Sequence, residues 1–209
     1  MITIVYGKPG CGKTTLLAYY AVRNEFFKQI SARVPFLKRL LKPYDHVFCT
    51  DPSVQFTEPI KYHSIGFCKP AENSLYLLDE IGIGFNNRNW SKFTDYQKHF
   101  FALHRHLRID VVACSQTVDV DISIRHRASR LFELHKFGPW SVIVPIRYKI
   151  GVNNDTHEID EVYSSPHGLG LVLAFLLHKV KFLPRWKFYK YFNTLYDDFI
   201  YADSTSPRG

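Results

Sequence analysis

Ile2-Thr3-Ile4-Val5-Tyr6-Gly7-Lys8-Pro9-Gly10-Cys11-Gly12-Lys13-Thr14 decides how the rest of the chain is read. Ile2 to Tyr6 is a short run rich in β-branched residues, which predicts a strand. Gly7 to Thr14 fits Gly-x-x-x-x-Gly-Lys-[Ser/Thr], the phosphate-binding P-loop. Thr15-Leu16-Leu17-Ala18-Tyr19-Tyr20-Ala21 then opens a helix expected to run from Lys13 to about Lys28. Strand, loop and helix follow in the order that the motif needs.

The spacing has a chemical reason. Successive backbone N–H groups of such a loop converge into a nest for phosphate oxygens, and the next helix presents its positive end to them. The glycines leave no Cβ in the path of the anion. Gly7, Lys8, Pro9, Gly10, Cys11, Gly12, Lys13, Thr14 and Thr15 are therefore the candidate nucleotide-binding residues. Lys13 is expected to reach the β- and γ-phosphates, and Thr14 to ligate Mg²⁺.

A second apolar run, Ser74-Leu75-Tyr76-Leu77-Leu78, ends in Asp79-Glu80. A strand buried on both faces of a parallel sheet reads this way, and ligands gather at the C-terminal ends of such strands. The two acids fall beside the P-loop if both strands share one sheet. Asp79 is then the expected Mg²⁺ carboxylate and Glu80 the general base for an attacking water. A third strand, Ile109 to Cys114, ends at Ser115-Gln116, where Gln116 can touch a γ-phosphate or its water. The catalytic candidates are Lys13, Glu80 and Gln116, and the metal candidates Thr14 and Asp79.

Between these strands, Lys92 to about Arg108 predicts a helix with Phe93, Tyr96, Phe100, Leu103 and Leu107 on its apolar stripe. Gly82 to Trp90 reads as a polar loop. His104-Arg105-His106 is not a metal cluster, because residues two apart on a helix diverge. These three are expected to face solvent or a partner. Arg125, Arg127 and Arg130 form a basic segment, either surface charge or the source of an arginine acting on a neighbouring subunit's nucleotide. Leu131 to Phe137 and Ser141 to Ile150 predict two strands turned at Gly138-Pro139, extending the sheet as an antiparallel edge.

The balance of charge is +8, with an isoelectric point near 9.3, which suits an acidic partner such as nucleic acid or an anionic membrane. General solubility is the competing explanation. Cys11, Cys49, Cys68 and Cys114 show neither a Cys-x-x-Cys pair nor zinc-ligand spacing and read as reduced thiols of a cytosolic protein. With the P-loop at the N-terminus no signal peptide is expected, and no apolar run reaches the roughly 18–20 residues of a spanning helix.

Arg33, Lys38, Arg39 and Lys42 interleave with apolar residues between Pro35 and Pro43, a short amphipathic helix. His46 to Thr50 predicts a strand, and Phe56 to Lys69 reads as loop-rich. Val152 to Pro166 reads as a polar loop. Residues 1–150 are thus expected to form the P-loop domain and 151–209 a C-terminal extension. There Leu169 to Leu177 is apolar but short, and Lys179, Lys181, Arg185, Lys187 and Lys190 alternate with Phe182, Trp186, Phe188, Tyr189, Tyr191 and Phe192. Three readings stay open for the stretch 179–192: packing on its own domain, an anionic membrane surface, and single-stranded nucleic acid.

The fold class read from these features is α/β, a three-layer P-loop NTPase sandwich with a mainly parallel central sheet and a short basic-aromatic tail. Over about residues 1–150 the chain resembles the Zot (zonular occludens toxin) family, the assembly ATPases of filamentous phages. The resemblance rests on Gly7 to Thr14, on Leu77-Leu78-Asp79-Glu80, and on the His104-Arg105-His106 helix running into Ile109 to Gln116. It implies an additional-strand P-loop ATPase using ATP and Mg²⁺. It also implies homo-oligomers at the cytoplasmic face of the host inner membrane, working with coat and envelope-channel proteins to extrude a single-stranded DNA virion. Larger members carry a spanning helix after the ATPase domain, which Leu169 to Leu177 is too short to supply.

Two other functions fit the same residues. One is a soluble ATPase for DNA packaging or transfer, suggested by the charge and the Arg125–Arg130 segment. The other is a nucleotide-dependent scaffold that does not hydrolyse. The chain lacks an Asn/Thr-Lys-x-Asp guanine-recognition sequence, which favours ATP.

Overall fold

The computed structural model describes residues 1–67, 70–85, 94–117, 120, 122–152, 159–164 and 180–192. Its centre is an eight-stranded sheet. In chain order the elements are β1 (Ile2–Gly7), α1 (Lys13–Arg33), α2 (Pro35–Leu41), β2 (His46–Cys49), β3 (Glu58–Pro59), a 3₁₀ turn (Tyr62–Ser64) and β4 (Ser74–Leu78). Then come α3 (Ile81–Gly84), α4 (Asp95–Leu103), β5 (Asp110–Ser115), α5 (Ile122–Arg127), β6 (Arg130–Phe137), β7 (Trp140–Pro145), β8 (Arg147–Val152) and β9 (Ile159–Ser164). Strand β10 (Lys181–Pro184) and two 3₁₀ turns, Arg185–Lys187 and Tyr189–Tyr191, follow.

The strand order is β10-β7-β6-β1-β5-β4-β2-β3. Every pairing from β6 to β3 is parallel, and β7 and β10 are joined to that edge by antiparallel pairings. Strand β5 lies between the P-loop strand β1 and the acid-bearing strand β4. That is the additional-strand arrangement that the family resemblance implies. It also brings the C-terminal ends of β1, β4 and β5 to one edge.

Both faces of β1 are covered, as an unbroken apolar strand requires. Ile2, Ile4 and Tyr6 pack in one core with Tyr76, Leu78, Phe100, Phe101, Val111 and Ile124. Val5 points the other way and joins Leu16, Leu17, Ala21, Leu75, Leu77, Val112 and Leu134. Leu16, Leu17, Leu77 and Leu78 are almost wholly removed from water, and each such side chain stabilises the fold by roughly 1.5–3 kcal/mol.

Several boundaries differ from those expected. Helix α1 continues five residues past Lys28, to Arg33. Helix α4 begins at Asp95, because the Thr94 hydroxyl accepts from the Gln97 N–H while Gln97 returns the bond to the Thr94 N–H. This capping box starts the helix there. Its end comes at Leu103, well short of Arg108, whose φ of 54° turns the chain and lets the Ile109 N–H reach the His104 carbonyl at 2.8 Å.

The buried face of α4 is also different. Gln97, Phe100, Phe101 and His104 point inward, whereas Tyr96 and Leu103 are exposed. His104, expected at the surface, is buried with Nδ1 2.8 Å from the Phe101 carbonyl oxygen, and burial lowers its pKa. Arg105 and His106 do face solvent. Phe93 and residues 86–92 lie outside the described residues.

The strand predicted over 141–150 is two strands: β7 stops at Pro145, and β8 pairs with β9 as a separate antiparallel hairpin. Strand β9 occupies much of the segment read as a polar loop. Strand β6 is parallel to β1, so the antiparallel edge begins only with β7. Gly82, read as loop, lies in the short helix α3.

Residues 181–184 of the extension are the outermost strand on the β7 side. For residues 181–192 the packed reading therefore describes the fold, and residues 169–177 lie outside the described residues. Helix α2 buries none of its side chains and exposes Phe36 and Leu40 among its basic residues. No helix among the described residues is long and apolar enough to cross a membrane.

Candidate nucleotide site

The P-loop follows β1 directly. Gly10 and Gly12 adopt φ of 72° and 100°, a conformation that residues with a Cβ resist. Gly12 is also the N-cap of α1, with no side-chain cap and no acid in the first turn. The positive end of a 21-residue helix is thus left for an anion. Space is tight on the inner side. A Cβ on Gly7 would lie 2.5 Å from Cys11 Sγ, and one on Gly12 would lie 2.3 Å from Ser141 Oγ. The buried Ser141 hydroxyl donates to the Cys11 carbonyl at 2.6 Å, which fastens the loop to β7.

The expected partners converge on this loop. Thr14 Oγ1 donates to Asp79 Oδ2 at 3.1 Å. Lys13 Nζ donates to the Gly7 carbonyl at 3.0 Å and lies 4.0 Å from Glu80 Oε2. Gln116 is exposed, but its backbone N–H donates to Glu80 Oε1 at 3.0 Å, and Ser115 Oγ donates to the same oxygen at 3.3 Å. Gly10, Gly12, Lys13, Thr14, Thr15, Asp79, Glu80 and Gln116 line one open cavity of about 440 Å³, within the size range of ligand sites.

The two acids sit in different surroundings. Burial raises the Asp79 pKa, opposed by the hydrogen bond from Thr14 and by the charge of Lys13. Glu80 takes φ of 54°, a sparsely populated conformation that costs about 1–3 kcal/mol in a residue with a Cβ and that clusters at functional sites. Its Oε2 is buried with no hydrogen-bond partner among the described residues. One carboxylate oxygen is thus held at the end of β5, and the other, without a hydrogen bond, faces the Lys13 ammonium at 4.0 Å.

Mg²⁺ characteristically takes one or two protein oxygens and completes its shell with water and phosphate. Thr14 Oγ1 and Asp79 Oδ2, already in contact, are a donor set of that kind. No cluster of three or more His, Cys, Asp or Glu side chains among the described residues could hold an ion without such help.

Other residues of this edge carried no local signal. The Asp79 N–H donates to Thr50 Oγ1 at 2.8 Å, and the Tyr62 hydroxyl donates to the Asp79 carbonyl. These bonds fix the backbone of the acid from β2 and from the 3₁₀ turn after β3. Arg185 Nη1 donates to the Gly10 carbonyl at 3.0 Å from 175 positions away. Arg130 is distant: it pairs with Thr3, at the edge of the sheet opposite the P-loop. Cys11, Cys49 and Cys114 are buried, unbridged thiols whose pKa values burial raises, that of Cys49 to about 12. Cys68 lies outside the described residues.

The model of the zonular occludens toxin (Zot) family matches residues 1–157. The chain belongs to the Zot family. Among solved structures, this Zot-family chain is similar to the N-terminal domain of zonular occludens toxin from Neisseria meningitidis. The identity is 16%, with 78% of this chain and 92% of that one covered and a TM-score of 0.49. It is also similar to the genome packaging NTPase B204 of Sulfolobus turreted icosahedral virus 2 in complex with sulfate, at 11% identity, 77% and 94% coverage and a TM-score of 0.43. For the flagellar accessory protein FlaH from Methanocaldococcus jannaschii the values are 13%, 80% and 89%, and 0.43. No curated protein sequence matches the chain.

Proposed function

We propose that the chain is an ATP-binding and ATP-hydrolysing motor for assembly and extrusion of a filamentous, single-stranded DNA phage. The observation that carries the reading is the meeting of Thr14 with Asp79 and of Lys13 with Glu80 at the mouth of the P-loop. Membership of the Zot family supports the phage-assembly part.

In this reading the loop N–H groups and Lys13 bind the triphosphate, and Lys13 leaves the Gly7 carbonyl to do so. Thr14 and Asp79 would hold Mg²⁺, which neutralises charge that develops on the phosphates. Glu80 accepts a proton from the attacking water through Oε2, while Ser115 and the Gln116 N–H orient the carboxylate through Oε1. The Gln116 side chain senses the γ-phosphate. The motor works as a homo-oligomer in the host cytoplasm at the inner-membrane face, together with coat and envelope-channel proteins, and an arginine of a neighbouring subunit completes the site. The basic side chains of the stretch Lys179–Phe192, which packs on its own domain from Lys181 on, are offered to an anionic membrane surface, and those of α2 to a partner or lipid.

Steady-state ATP hydrolysis by the wild type and Glu80→Gln, with and without anionic liposomes and single-stranded DNA, tests this. The variant is expected to bind ATP and to lose turnover by about 10²–10⁴-fold, the usual contribution of a general base. Equal turnover in both proteins removes Glu80 from its role. Stimulation by DNA with no response to lipid favours packaging over extrusion.

A further inference from the structure

A strap crosses the outer side of the nucleotide cavity. It is the stretch from Arg185 to Phe192, beyond the residues matched by the family. One end is tied to the P-loop side of the sheet. Arg185 donates from Nη1 to Gly10 O at 3.0 Å, from Nη2 to Gly138 O at 2.6 Å and from its backbone N–H to Pro139 O at 3.0 Å. The other end is tied beyond β2. The Gln55 N–H donates to Tyr191 O at 2.9 Å, and Gln55 Nε2 donates to Lys190 O at 3.2 Å. In the middle, Phe188 packs edge-on against Tyr19 of α1, with ring centroids 5.6 Å apart.

The strap thus spans the N-terminal end of α1 from the β7 side to the β2 side. Most of its aromatic rings have packing partners: Trp186 meets Trp140, Phe188 meets Tyr19, and Tyr191 meets Phe56. Tyr189, and Phe192, which also packs against the core under α1, line the cavity that holds Lys13, Thr14, Thr15, Asp79 and Glu80. Their rings stand edge-to-face, 6.1 Å apart, and Tyr189 remains half exposed. A nucleotide bound in this cavity with its γ-phosphate at Glu80 and Gln116 would have Tyr189 and Phe192 as the aromatic side chains of the lining.

We propose that Tyr189 and Phe192 form the nucleobase platform of the site, with Arg185 anchoring the strap to the P-loop. The ligand class is a nucleoside triphosphate whose base stacks on the Tyr189 ring. Because every base has a π-face, stacking of this kind tolerates base identity. This inference rests on the nucleotide-binding reading above and extends the site into the C-terminal extension.

Calorimetric titration of the full chain with MgATP and with magnesium tripolyphosphate, which has no base, tests it. Tyr189→Ala, at an exposed position, is expected to weaken MgATP binding about tenfold and leave tripolyphosphate binding unchanged. Tyr189→Phe is expected to retain wild-type affinity for both. Phe192→Leu, which keeps an apolar filler, is expected to weaken MgATP alone. Tyr189→Ala binding MgATP as the wild type does overturns the platform while leaving the phosphate site intact. An equal loss of both ligands overturns it too. A wild-type chain that binds neither ligand overturns the nucleotide reading itself.

Discussion

Thr14 and Asp79 are joined by a 3.1 Å hydrogen bond across 65 residues, which links the first turn of α1 to the end of β4. In the proposed MgATP complex both oxygens would turn to the ion. Thr14→Ala and Asp79→Asn are each expected to weaken MgATP binding by about tenfold, with a much smaller effect on ATP in EDTA. Titration of both variants in the two buffers checks this. An equal loss in both buffers would mean that the pair only props up the loop.

The buried Asp79 makes apo stability depend on pH. Its folded pKa is raised by desolvation, so the native state binds the proton more tightly than the unfolded chain does. Stability from this source is present below the unfolded value of about 3.8 and is lost as pH rises through the folded pKa. Asp79→Asn removes the ionised form. The apo variant is expected to melt higher than the wild type at pH 7, with the difference shrinking as pH falls towards 4. Calorimetric melts at several pH values decide it, and a constant difference would contradict the linkage.

Two glycines of the loop separate backbone strain from steric collision. A Cβ on Gly10 meets nothing within 4 Å but must be held at φ of 72°. A Cβ on Gly12 is held at φ of 100° and strikes Ser141 Oγ. Gly10→Ala is expected to cost about 1 kcal/mol. Gly12→Ala is expected to cost about 2 kcal/mol or more, because Ser141 is locked to Cys11. Urea unfolding of the two variants gives the comparison, and the reverse order would count against the loop geometry.

The face that α4 buries is open to the same kind of test. Phe101→Ala is expected to destabilise the protein by about 3–5 kcal/mol, because the ring is fully enclosed between Phe85 and Phe100. Leu103→Ala, half exposed two positions on, is expected to cost less than about 1 kcal/mol. Equal costs would restore the stripe through Tyr96, Phe100 and Leu103.

That stripe shows where local pattern stops being sufficient. Phe100 and Phe101 are adjacent and both apolar, so a helical period can run through Tyr96 and Leu103 or through Gln97 and His104. Both polar alternatives lean on distant or backbone groups: Gln97 Nε2 donates to the Tyr62 carbonyl at 3.1 Å, and His104 Nδ1 pairs with the Phe101 carbonyl while its Nε2 has no hydrogen-bond partner among the described residues. A buried polar residue that depends on such partners leaves no trace in hydrophobic periodicity. The placement of Asp79 and Glu80, by contrast, was legible, because a parallel strand delivers its C-terminal residues to the ligand edge.

The P-loop, its helix and the acids that end β4 are written in short runs of sequence. Their geometry depends on backbone torsions, glycine positions and strand alternation, all local properties. Tertiary structure alone decided that β6 is parallel and β7 antiparallel, that residues 181–184 close the edge as β10, and that Arg185 returns to Gly10. Those outcomes depend on which apolar faces cover one another and on hydrogen bonds between residues as far as 175 positions apart. Burial is a property of the assembled chain, and no run of neighbouring residues encodes it.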